Sequence, residues 1–161
     1  MKRTNFTAEA GKQEIVITRR FDSSRECLFD AFTDPRLVIQ WWGPKALTTL
    51  IDKLDPVPGG QWRFVQSDSA GKIYAFHGVY HEVVCPERLV YTFEFEGRPG
   101  HALLETVTFE ELNGQTVLTD KSVFQSVEDR DEMVTSGMES GATESMQRLA
   151  QLQVRLANVY V

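Results

Sequence analysis

With 161 residues the chain is long enough for one hydrophobic core and too short to require two, so a single domain over 1–161 is expected. Its 23 acidic against 17 basic side chains give a formal charge of −6, which excludes clustered cations tracking a phosphate backbone; nucleic acid is not an expected partner. No apolar run approaches the roughly 18 residues of a membrane span, and the polar stretch from Met1 to Gln13 lacks the apolar centre of a signal peptide, so a cytoplasmic protein without a membrane span is expected.

Residues 1–12 read as a flexible N-terminal extension. The run from Gln13 to Phe21, with Ile15, Val16 and Ile17 ahead of Thr18, predicts a first strand. Ser23 then caps a helix, Glu26 reaches back to the free amide, and Leu28, Ala31 and Phe32 form its apolar face. A second short helix follows at once. Asp34 is its N-cap, Pro35 takes the first helical position where no amide donor is needed, and Leu37, Val38 and Trp41 supply the buried side until Gly43-Pro44 stops it. Cys27 and Cys85 stand far apart and outside any CxxC pattern, and read as two small buried thiols rather than a disulfide or a zinc site.

From Ala46 to Phe124 the pattern shortens to period two between turn residues, as in an antiparallel meander. Six strands centre on Leu47 to Leu54, Gln61 to Gln66, Ile73 to Val83, Leu89 to Phe95, Leu103 to Glu110 and Thr116 to Phe124, about seven in all with the first. Asn113-Gly114 is the clearest hairpin, because both residues tolerate positive φ. Trp62 and Phe64 alternate with Arg63, and Leu89, Tyr91, Phe93 and Phe95 alternate with Val90, Thr92 and Glu94, so these strands offer one aromatic face. Gly78 midway along the longest strand is costly unless the strand bends or another group comes close.

The cover for that face is one long helix from about Arg130, whose stripe of Val134, Met138, Ala142, Ser145, Leu149, Leu152 and Leu156 recurs at spacings of three and four. Its acidic start, Glu128-Asp129-Arg130-Asp131-Glu132, suits the positive end of a helix dipole. Gly137, Gly141, Ala142 and Ser145 are too small to fill a wide gap, so either the helix touches the sheet there or a void remains. The fold class is α+β: a curved antiparallel sheet wrapped around a long C-terminal helix, with two short helices after the first strand.

Catalytic motifs are sparse. Pro58-Gly59-Gly60 lacks the ending of a phosphate-binding loop, and Gly137-Met138-Glu139-Ser140-Gly141 has one residue too many for a nucleophile elbow. His77 and His81 are strand residues about 13 Å apart and cannot share a metal ion. His101 belongs to a loop, so no metal site and no cofactor are expected. Asp120 and Ser122 share alternation with Leu118 and Phe124. If that face looks inward, Asp120 becomes an enclosed acid with a raised pKa, a general base or a ligand anchor; otherwise it is exposed or makes a structural hydrogen bond.

The element order and a series of local words resemble the family named for the activator of the heat-shock protein 90 ATPase, within the START-related, polyketide cyclase-like superfamily. The words are Phe29-Asp30-Ala31-Phe32-Thr33-Asp34-Pro35, Trp41-Trp42-Gly43-Pro44, Pro58-Gly59-Gly60-Gln61-Trp62-Arg63-Phe64, Gly78-Val79-Tyr80, Pro86-Glu87-Arg88-Leu89-Val90-Tyr91-Thr92-Phe93, Val107-Thr108-Phe109-Glu110 and Gly141-Ala142-Thr143-Glu144-Ser145-Met146-Gln147-Arg148-Leu149. The resemblance runs from about Glu14 to Gln153 and implies the helix-grip fold, with a cavity between sheet and long helix that relatives use for apolar molecules. The activator proper works with an additional N-terminal domain for which this chain has no room, so chaperone stimulation is not expected to carry over. Where many relatives have a tryptophan after the glycine of the last helix, this chain has Ala142, which enlarges the cavity unless Trp62, Phe76 or Met138 offsets it.

The function expected on these grounds is binding of a small hydrophobic molecule. Trp62, Phe64, Phe76, Tyr91, Phe93 and Phe109 would line the cavity from the sheet, and Met138, Gly141, Ala142 and Ser145 from the helix. Trp41 fits the core, and Trp42, before a loop, could gate the pocket. An enzymatic alternative has Asp120, His77 or Tyr80 moving a proton on a bound ligand, as in a polyketide cyclase. A third makes the chain a co-chaperone or stress-response regulator acting through protein contacts. The edge strands and the double-tryptophan loop are where a second copy would form a homodimer.

Overall fold

The computed structural model describes residues 2–159. In chain order the elements are β1 (Asn5–Thr7), β2 (Glu14–Phe21), α1 (Arg25–Thr33), α2 (Pro35–Val38), β3 (Thr48–Leu54), β4 (Gln61–Ser67), β5 (Ile73–Val84), β6 (Arg88–Phe95), β7 (Leu103–Leu112), β8 (Gln115–Val123), α3 (Val127–Thr135) and α4 (Met138–Val159). The strands form one antiparallel sheet in the order β1-β2-β8-β7-β6-β5-β4-β3. Strands β3 to β8 are a meander of neighbours, and α1 and α2 carry the chain from β2 near one edge to β3 at the other. Among the described residues no helix is long and apolar enough to cross a membrane.

Local chemistry explains most boundaries. Asp34 closes α1 and caps α2, its carboxylate accepting from the Arg36 amide at 2.9 Å with Pro35 in the first turn. Asn113 and Gly114, both at positive φ, join β7 to β8 as a two-residue hairpin. Gly78 makes room on the inner face. A Cβ there would collide with the Thr92 carbonyl and the Trp62 indole, which crosses β5 to donate its Nε1–H to Thr92 O at 3.1 Å.

Four expectations need correction. Residues 1–12 are not simply an extension: Asn5–Thr7 pairs with β2 and Phe6 packs on the core, so the sheet has eight strands rather than about seven. Ser24, not Ser23, caps α1, accepting from the Cys27 amide at 3.2 Å, while the Ser23 carbonyl accepts from the Thr116 hydroxyl. The final helix is two helices. Gly137, at φ +92°, takes the left-handed conformation that ends α3, and α4 starts afresh at Met138. Both cysteines are free and exposed, because Cys27 lies on the solvent side of α1 and Cys85 in the β5–β6 turn.

The densest part of the core lies under α1 and the C-terminal half of α4. Phe109 meets Phe29 and Phe32 edge-on at 5.6 and 5.3 Å, and Phe32 lies 4.7 Å from Trp41, whose indole donates to Ala31 O at 2.8 Å. Leu149 and Leu152 of α4 are fully enclosed. The leucine-bearing turns of α4 therefore fill the gap to the sheet, and its small-residue turns face something else.

Candidate functional site: a pocket between sheet and final helix

Where α4 carries Gly141, Ala142 and Ser145, it stands off the sheet and leaves a pocket of about 430 Å³. A Cβ built on Gly141 would meet nothing within 4 Å, so this glycine is not there to allow close packing. The opposing wall is aromatic. Trp62 lies 4.8 Å from Phe64 and 5.6 Å from Phe93, and Phe76 lies 5.4 Å from Phe93. Met138, Gly141, Ala142, Ser145 and Met146 complete the helix side. Such walls gain about 25 cal/mol per Å² of apolar surface they cover.

Trp42 is fixed into the wall. Its ring meets Phe64 at 5.0 Å and Phe76 at 5.3 Å, and its carbonyl accepts from Thr49 Oγ1 at 3.2 Å. The loop that follows is strapped to α4. Glu144 accepts from the Lys45 amide at 2.8 Å, and Arg148 donates to Gly43 O at 2.6 Å and to Gln40 O at 3.3 Å. Gln66, enclosed beneath the loop, donates to Thr49 Oγ1 at 3.2 Å.

The pocket floor is polar. Register aligns Tyr80 of β5 with Tyr91 of β6, Tyr91 with Glu105 of β7, and Glu105 with Ser122 of β8. All four line the pocket, together with Asp120, one step along β8 on the same face. Tyr91 donates its hydroxyl to Glu105 Oε2 at 2.9 Å. Enclosure pushes the Asp120 carboxyl well above the ordinary carboxylate range, reinforced by the neighbouring charge of Glu105 and a hydrogen bond to it. Such a shift favours the protonated acid, which can donate to Glu105. Its Oδ1 is sealed off without a partner. Burial, then the charge of Glu105, also raises both tyrosine hydroxyls.

Ten of the eleven residues expected to line a cavity border this pocket: Trp42 after α2, Trp62, Phe64, Phe76, Tyr91 and Phe93 on the sheet, and Met138, Gly141, Ala142 and Ser145 on α4. Phe109 does not, because its ring is enclosed by Phe29 and Phe32 under α1. Of the proton-handling candidates, Asp120 and Tyr80 are on the floor. His77 is on the opposite face, where its Nδ1 lies 2.9 Å from Glu96 and its Nε2 3.6 Å from Glu94. Glu105 escaped the sequence reading, although it shares parity with Leu103, Val107 and Phe109. No group of three or more His, Cys, Asp or Glu able to hold a metal ion occurs among the described residues.

The family model described as "Activator of Hsp90 ATPase homolog 1-like protein" matches residues 22–153. The chain belongs to this family. Among solved structures it resembles a protein from Rhodobacter sphaeroides at 23% identity and TM-score 0.86, covering 97% of this chain and 99% of the other. A protein from Arthrobacter aurescens matches at 22% identity and TM-score 0.87, over 94% and 91%. The AHSA1 protein from Silicibacter pomeroyi matches at 27% identity and TM-score 0.72, over 89% and 97%. No curated protein matches. The family carries the helix-grip architecture, and across these relatives the sheet and terminal helix of this member are preserved.

Proposed function

We propose that this family member binds a small, largely apolar molecule in the pocket between the aromatic sheet face and the first turns of α4. The observation that carries the reading is the conjunction at that place: a space of about 430 Å³, aromatic side chains on one wall, and on the other a helix whose Gly141 has open space before it. Binding is by burial, less the cost of ordering the ligand. The cytoplasm is the compartment that goes with this reading, because two exposed free thiols suit a reducing environment.

Native mass spectrometry of protein purified from its own source tests the reading. A co-purifying small molecule, released on denaturation, is the expected result. An empty protein that also shows no thermal shift with a panel of lipids and aromatics would count against it.

A second reading, proton transfer on the bound molecule, is favoured by one observation: Asp120, its carboxyl raised by burial, borders the pocket near Tyr91 and Glu105 as a general acid would. Turnover of a captured ligand that stops in Asp120→Asn, with binding retained, would establish it; release of the ligand unchanged would refute it.

A further inference from the structure

The pocket floor holds two carboxyls, and none of the residues lining the pocket is Lys, Arg or His. Neither Glu105 nor Asp120 joins an ion pair among the described residues. With no basic side chain in the wall, the two carboxyls stand without a counter-charge inside an apolar enclosure. An unbalanced charge there is costly, and removing its counter-charge from an established pair is among the more damaging changes a core can suffer. The chain itself supplies Glu105 with neutral donors, the Tyr91 hydroxyl and the Asp120 acid, and leaves Asp120 Oδ1 unpartnered.

Building on the pocket reading above, we infer that the molecule bound is a hydrophobic amine, its protonated nitrogen seated against Glu105 and Asp120 and its apolar body extending toward Trp42 and Met138. Three features of the site meet that chemistry. An ammonium group offers several donors to two carboxyls that border the pocket without a cationic partner. The rings of Tyr80, Tyr91 and Trp62 cluster in the same part of the pocket lining, and aromatic rings attract a desolvated cation. The same negative charge repels fatty acids and other carboxylates, whose bodies would otherwise suit the walls.

Three naphthalene probes of nearly equal shape separate this inference from the pocket reading: 1-naphthylmethylamine, 1-naphthylmethanol and 1-naphthoic acid, titrated calorimetrically into the full chain at neutral pH. The amine is expected to bind about tenfold or more tighter than the alcohol, the scale of a hydrogen bond to a charged group, and the acid weakest. In the double variant Glu105→Gln, Asp120→Asn the advantage of the amine over the alcohol should vanish. The order of the three probes on the unaltered chain stands as a test even if that variant does not fold. Equal binding of amine and alcohol, or an amine advantage that survives in the double variant, overturns the amine assignment and leaves the apolar pocket standing. Failure of all three to bind overturns both.

Discussion

The central strands carry a polar cluster on each face, and the two are built on opposite terms. On the outer face Arg63 reaches Glu96 at 2.8 and 3.1 Å and Asp52 at 3.3 Å, and His77 closes the group against Glu96 and Glu94. Each anion there has a basic side chain beside it and water nearby, and the guanidinium of Arg63 holds Glu96 down at about 2. On the inner face two carboxyls stand together in an enclosure with no cation in its wall, and burial raises that of Asp120. The outer cluster is a solvated set of ion pairs of the kind that adds little stability. The inner one is a burden on the fold, and its location in the pocket gives a reason for its presence.

That contrast can be broken at neighbouring positions. Gly78 and His77 are adjacent yet face opposite ways. Gly78→Ala should destabilise by about 3 kcal/mol in a urea melt, because the new Cβ must displace the Thr92 carbonyl or the Trp62 indole. His77→Ala should stay within about 0.5 kcal/mol of the parent. Equal effects would mean that the two faces are not packed so differently.

Next in size is Asp120→Asn. Burial raises the folded carboxyl, so Asp120 carries a cost to folding that is present above the unfolded value of about 3.9 and fades as pH falls toward it. An asparagine amide can donate to Glu105 as the protonated acid does, without that cost. The variant should be more stable at neutral pH by about 1 kcal/mol, and the gain should disappear in acid. A loss at neutral pH would show that Asp120 is ionised and compensated.

Glu96→Gln should show the opposite sign and the smallest change. Glu96 is depressed from 4.5 to about 2, so its contribution is complete above the ordinary value and drains away as pH falls between those two. The variant should lose a little stability at neutral pH and match the parent at the acid end, as followed by thermal melts across that range.

The sheet was legible in the sequence along the meander from β3 to β8, since period-two alternation and turn residues are local signals. The pairing of Asn5–Thr7 with β2 was not, because three residues show no period. Nor was the break at Gly137. Val134 and Met138 keep the helical spacing across it, and only the backbone reveals the left-handed residue between them. Parity explains much of the site. Tyr80 and His77 differ by three positions in one strand and could not both face inward, while Asp120 follows Leu118 to the inside. Glu105 was readable by the same parity with Leu103 and Val107, but its meaning was not. Only the register across β5 to β8 brings Tyr91 and Asp120 beside it.

The most direct test uses N-phenyl-1-naphthylamine, a neutral apolar fluorophore that brightens when removed from water. The unaltered chain should bind it saturably, and Ala142→Trp, which sets an indole into the space before α4, should weaken binding by about tenfold or more with the thermal melt unchanged. Saturable binding of equal strength in both proteins, or none in either, would contradict a ligand pocket between the sheet and the final helix.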